Sequence, residues 1–187
     1  MFNTERFIQD CRNALAEDNA HAAVKEIVTR AVAEPSRVLQ ELGEPGLAGV
    51  KTIYRSDNLT ILNVLWGPCM YWLPHDHRMW AVIGIYEGRE VNAFYRRSDS
   101  GLTELGGKTL NTKDVIPLGE AVIHSVTNPL EQITAAIHVY GGDFFATPRS
   151  EWDPETFEER PYDVAHLMRV FEESNEHLRA AEIAREK

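Results

Sequence analysis

The feature that most constrains this chain is a change of hydrophobic period near residue 50. From there to about residue 145 the sequence divides into short apolar runs separated by turn residues. Residues 51–55 and 59–66 flank Ser56-Asp57-Asn58, a hairpin connection, and Gly67-Pro68 ends the second run. Residues 80–86 form a dense apolar run that Glu87-Gly88 turns into residues 90–96. Ser98-Asp99-Ser100-Gly101 predicts a further turn, and strand-like runs follow at 102–105, 114–116, 121–127 and 134–140. A chain cut this way cannot build its core from helices. It predicts an all-β core, a sandwich or barrel, over residues 50–145.

The flanks keep the helical period. Residues 4–42 predict helices: Thr4 as a cap, an apolar stripe of Phe7, Ile8, Cys11 and Leu15, a break at Asp18-Asn19, then Val24 and Ile27 at the same spacing. Pro35 suits the first turn of a short third helix, and Gly43 to Gly46 stops it. Trp152-Asp153-Pro154 opens an irregular tail. A C-terminal helix is expected over 163–184, capped by Asp163, with Val164, Leu167, Met168 and Phe171 on its buried face. With 187 residues, 43% of them hydrophobic, the chain suits one domain over 1–187.

Charge and cysteine content exclude several roles. The net charge is −10, which does not suit nucleic-acid binding, where phosphate contacts need clustered Lys and Arg. No run is long and apolar enough for a membrane span. Cys11 and Cys69 lie 58 positions apart, no metal or redox spacing, so a reducing, cytoplasmic setting is expected.

Two stretches carry chemistry. In Pro74-His75-Asp76-His77 the two histidines are two residues apart, so on a strand both project from one face and can grip one metal ion. Asp76 points the other way. The second stretch is Gly119-x4-His124-x3-Asn128, in which a turn leads into a strand carrying His124, 47 residues past His77, inward. His21, His166 and His177 fall on helices near charged residues and read as surface.

Together the two stretches resemble the two halves of the cupin metal motif, which implies a double-stranded β-helix barrel with N-terminal helices and a C-terminal helix. Many cupins add a Glu ligand, separated from the His-x-His by three or four residues. Here those places hold Ala81 and Val82, and Glu87 belongs to a turn. The implied ligands are three neutral imidazoles, His75, His77 and His124. Such a set leaves a divalent charge uncompensated and accepts Fe, Ni, Zn or other divalent ions.

Three-histidine cupins include the thiol dioxygenases. The chain resembles that family in Leu65-Trp66-Gly67 before the His-x-His, in residues 124–128, and in Ile137-His138-Val139-Tyr140-Gly141-Gly142. The family has a Ser-x-His-x-Tyr arrangement beside its iron. His138 and Tyr140 match it, while Ala136 stands in the serine place. A cysteine that crosslinks the tyrosine in animal members is replaced by Val82, so the resemblance implies an unmodified Tyr140. It also implies an Arg or Gln near the first hairpin for the substrate carboxylate. Arg55 is the loose match, with a solvated strand-end arginine as the alternative. The implied function is an Fe(II)-dependent dioxygenase that uses dioxygen to turn a small thiol, of the cysteine or 3-mercaptopropionate class, into its sulfinate. A carbon-substrate dioxygenase, a metal hydrolase or lyase, and a non-enzymatic ligand-binding cupin are the alternatives.

Overall fold

The computed structural model describes residues 2–99 and 101–185. Three helices come first: α1 (Thr4–Ala14), α2 (Ala20–Val32) and α3 (Pro35–Leu42). Asn3, not Thr4, caps α1, its side chain accepting from the Arg6 amide at 2.9 Å. Thr4 instead donates its amide to Glu41 of α3. Asn19 caps α2, and Pro35 sits in the first turn of α3 as the sequence predicts.

Eleven strands follow among the described residues: β1 (Gly49–Ser56), β2 (Leu59–Trp66), β3 (Tyr71–Asp76), β4 (Ala81–Glu87), β5 (Arg89–Ser98), β6 (Gly101–Asn111), β7 (Val115–Leu118), β8 (Ile123–Thr127), β9 (Thr134–Tyr140), β10 (Ser150–Trp152) and β11 (Glu159–Pro161). They form two antiparallel sheets, β1-β2-β9-β4-β7 and β11-β10-β3-β8-β5-β6. Side chains from both sheets fill a common interior, among them Leu62, Trp66, Trp72, Ile83, Leu110, Val126 and Tyr140.

The central strands of the first sheet, β2, β9 and β4, are buried on both faces, which explains why they read as continuous apolar runs. On β9, Ala136, His138 and Tyr140 face the interior by alternation, while Ala135, Ile137 and Val139 lie under the helices. Phe7, Cys11, Val24, Val28 and Val32 cover that outer face, with Ile8, Leu15 and Ile27 packed at its margin. The approach is close at Gly84, where a Cβ would stand 2.5 Å from Val28. Helix α4 (Val164–Arg185) closes the chain. Its buried face runs through Leu167, Phe171 and Asn175. Val164 and Met168, expected on that face, are exposed. Asn175 sets the rotation: its side-chain amide bonds both the amide and the carbonyl of Ala48.

Two further expectations are revised, and a third falls partly outside the described residues. The run at 102–105 is the start of an eleven-residue strand, paired with β5 along its whole length. The tail after Trp152 forms β11 and folds back on β10. The turn expected at Ser98 to Gly101 includes Ser100, which lies outside the described residues; Ser98 and Gly101 pair across it. Among the described residues no helix is long and apolar enough to cross a membrane.

Candidate metal centre

The register of β3 against β8 sets His75 directly opposite His124. Their ring centroids are 4.6 Å apart. His77 lies on the same face as His75, just beyond the end of β3, with its ring centroid 5.1 Å from His75 and 5.0 Å from His124. Each of the three offers a nitrogen within 4.8 Å of the others, and this is the one such cluster of His, Cys, Asp or Glu among the described residues. All three side chains are buried. Asp76 faces outward, where Arg78, Arg97 and the Ser150 amide satisfy its carboxylate.

Protonation and tautomer both suit a cation. Burial lowers His75 from 6.5 to about 4 and pushes His77 and His124 well below their usual range, so all three are neutral near pH 7. His75 donates from Nδ1 to the Leu73 carbonyl at 2.8 Å, which leaves a lone pair on Nε2. His124 uses Nδ1 on Asn92 Oδ1 at 2.6 Å. Nε2 of His124 and Nε2 of His77 then face each other at 3.4 Å. One divalent ion at the usual metal–nitrogen distance of about 2.1 Å can reach both. The donor set therefore fits a metal ion. Ala81 and Val82 leave no carboxylate among the ligands, while Glu87 ends β4.

His138 and Tyr140 stand beside this cluster. Tyr140 lies ring-to-ring 5.1 Å from His77, and its hydroxyl bonds His138 Nδ1 at 2.9 Å. Burial raises the phenol far above its ordinary value, so Tyr140 keeps its proton, and lowers His138 to about 3, so the imidazole is neutral. His138 Nε2 is buried with no hydrogen-bond partner among the described residues. Ala136, two positions back on the same strand face, has no hydroxyl to offer it. Asn128 is structural: its buried amide donates to the Trp66, Gly67 and Gln132 carbonyls and ties the strand end in place.

Arg55 does not join the group. It sits at the end of β1, half exposed, and Asp143 engages its guanidinium through both Nε and Nη2 at 2.9 Å. The Asp143 carboxylate already neutralises this arginine, which weakens its pull on a second carboxylate.

The arginine beside the histidines is Arg149. Its side chain is 8% exposed. The guanidinium lies between two aromatic faces, 3.9 Å from the Phe144 centroid and 4.1 Å from that of Tyr162. Nη1 donates to the Phe144 carbonyl. Nε and Nη2 have no hydrogen-bond partner of ordinary geometry among the described residues. The charge is close enough to depress both His75 and His77 and to favour ionisation of Tyr140. Tyr162 in turn lies 5.8 Å from His75, and Phe144 lies 4.4 Å from Tyr140. The sequence offers only a faint signal for this arginine, its place in a tail that carries Phe144, Phe145 and Tyr162.

No family model matches the chain. Several solved structures resemble it. An RmlC-like cupin family protein with a double-stranded β-helix fold from Methanocaldococcus jannaschii is 10% identical over 55% of this chain and 87% of its own, with a TM-score of 0.46. The two antiparallel sheets of the present chain, around one shared interior, make an all-β barrel. A protein of Bacillus halodurans is 14% identical over 51% of this chain and 70% of its own, with a TM-score of 0.44. A recombinant oxalate oxidase in complex with glycolate is 14% identical over 54% of this chain and 53% of its own, with a TM-score of 0.43. Each of these likenesses covers about half of this chain.

Proposed function

We propose that the chain is an Fe(II)-dependent dioxygenase that oxidises a small thiol bearing a carboxylate to its sulfinate, RSH + O2 → RSO2H. The observation that carries this reading is the buried Arg149. A buried guanidinium whose Nε and Nη2 meet no protein carboxylate, with the neutral Tyr162 hydroxyl and three neutral histidines as neighbours, is costly unless an anion completes it. A substrate carboxylate fits that role, and the short span from Arg149 to the histidines favours a small molecule.

A redox-active divalent ion held by His75, His77 and His124 would supply Lewis acidity towards a thiolate and the one-electron chemistry that dioxygen requires. The chain's own residues do the rest. Arg149 binds and orients the acid end of the substrate through Nε and Nη2, and Phe144 and Tyr162 keep its guanidinium planar to the site. Tyr140 holds its proton and offers it as a hydrogen bond into the site, while His138 Nδ1 fixes the direction of that hydroxyl. Burial of all these groups excludes water from the reacting atoms. The free cysteines Cys11 and Cys69 fit a reducing compartment, and we place the protein in the cytoplasm on that ground.

Oxygen uptake tests the proposal. Protein loaded with Fe(II) without oxygen is given a panel of thiols with and without a carboxylate. Uptake with the thiol carboxylates, matched by sulfinate, is the expected result. No uptake with any thiol sinks the thiol reading and moves a carbon substrate, a hydrolytic reaction or simple ligand binding ahead of it.

A further inference from the structure

Behind His124 runs a buried polar chain that the reaction above does not use. Asn92 and Glu90 are alternate residues on β5, so both face the barrel interior, and neither is exposed to solvent. Trp66 Nε1 donates to Glu90 Oε2 at 2.9 Å. Asn92 Nδ2 donates to Glu90 Oε1 at 2.9 Å. Asn92 Oδ1 meets His124 Nδ1 at 2.6 Å.

With Glu90 ionised, the polarity of this chain is forced from its far end. An indole N–H can only donate, and a carboxylate can only accept. Glu90 as a carboxylate therefore requires Asn92 to turn its NH2 group towards it. The amide oxygen is then left facing His124. The imidazole nitrogen opposite that oxygen must carry the proton, and Nε2 must carry the lone pair. Trp66 is itself fixed by stacking on Phe171 of α4, 5.6 Å between centroids.

We propose that Glu90 is a positioning residue that, through Asn92, locks His124 in the tautomer able to bind a metal ion. This rests on the three-histidine cluster being a metal site. It goes further, because a carboxylate two hydrogen bonds from the cluster then decides whether one ligand is available.

The isosteric change Glu90→Gln reverses the logic. The new amide keeps its oxygen on Trp66 and turns its NH2 group to Asn92, which must flip to accept. Asn92 then presents NH2 to His124 Nδ1, and the proton moves to Nε2, where it blocks ligation. The pair Glu90→Gln with Asn92→Asp restores the original polarity, since the carboxylate introduced at position 92 accepts both from the amide introduced at position 90 and from His124.

Two measurements decide the matter. The first is Co(II) titration, followed by absorbance, of the wild type, Glu90→Gln and the double variant, each checked for an unchanged thermal melt. Glu90→Gln should bind Co(II) roughly 10- to 100-fold more weakly, the usual cost of losing a group that orients a ligating histidine, and the double variant should recover most of that loss. The second is the 15N imidazole shifts of His124 in metal-free protein, with the proton expected on Nδ1 in the wild type and on Nε2 in Glu90→Gln. Equal Co(II) affinity in wild type and Glu90→Gln overturns the proposal while the metal reading stands. A double variant as weak as Glu90→Gln also overturns it, because Glu90 then serves packing alone. If the wild type takes up no Co(II), the metal reading falls, and the tautomer still decides the hydrogen-bond chain: a proton on Nε2 of wild-type His124 refutes it.

Discussion

His75 and His124 stand directly opposite each other on neighbouring antiparallel strands, with ring centroids 4.6 Å apart. Cross-strand placement of this kind fixes their separation through the backbone ladder rather than through side-chain contacts. The two rings should therefore stay in place when any one histidine is removed. His75→Ala, His77→Ala and His124→Ala should each abolish stoichiometric binding of a divalent ion while the far-ultraviolet circular dichroism stays that of the wild type. Retention of one equivalent of metal in any of them counts against the ligand set.

Arg149 and Arg55 should behave oppositely. Arg149→Gln keeps a side chain able to donate but removes the charge, and should raise KM for a thiol carboxylate by about 10- to 100-fold, the scale of a charge-assisted bond lost in a buried site. It should also erase the preference for thiols with a carboxylate over those without. Arg55→Ala breaks an exposed pair with Asp143 and should change KM by less than about twofold. Steady-state kinetics on both variants with both substrate types reads the difference.

Tyr140→Phe should lower turnover by roughly 10²-fold, the effect of losing a positioned proton donor, with metal content unchanged. His138→Ala should do the same by freeing the tyrosine hydroxyl, and the double variant should be little worse than either single one, since the two residues act as a unit. Ala136→Ser puts a hydroxyl two residues from the unpartnered His138 Nε2 on the same strand face, and should raise turnover. Full activity in Tyr140→Phe removes the pair from the mechanism.

Acid should destabilise the metal-free protein. From pH 6.5 down to about 4 the unfolded chain protonates its histidines, while His75, held at about 4, and His138, held at about 3, stay neutral in the fold. The unfolded state then binds more protons, so stability rises with pH across this window and is lost on acidification, by about 1.4 kcal/mol per pH unit for each histidine. Glu90 opposes one of them. Burial holds its carboxyl at about 7 against an ordinary 4.5, so between those values the fold keeps a proton that the unfolded chain has lost. The net sign remains that of the histidines, with His77 and His124 adding to it. Denaturant titrations at pH 6.5 and pH 5 should show the drop, smaller in His138→Asn. Equal or greater stability at pH 5 contradicts it.

What the sequence shows depends on how local each feature is. His75 and His77 share a face because strand alternation demands it, and His138 and Tyr140 do so for the same reason. The helical stripe of Phe7, Cys11 and Val24 follows from a 3.6-residue period. Arg149 has no such pattern. Its burial depends on Phe144 and Tyr162, which come from separate segments and meet only in the folded barrel. Arg55 has the right residue type, but Asp143, 88 positions away, claims it. The later part of β6 contains Gly106-Gly107-Lys108 on an exposed sheet edge, where no apolar alternation is needed. The link from Glu90 to His124 needs β5 and β8 in register and is invisible in a single chain read by spacing.

The most direct test of the account is a single-turnover reaction of the iron-loaded protein with a thiol carboxylate under 18O2, with the product read by mass spectrometry. One sulfinate per dioxygen, carrying two labelled oxygen atoms, is the expected result. A product without both labels, or a thiol recovered unchanged from protein that holds one equivalent of iron, contradicts it.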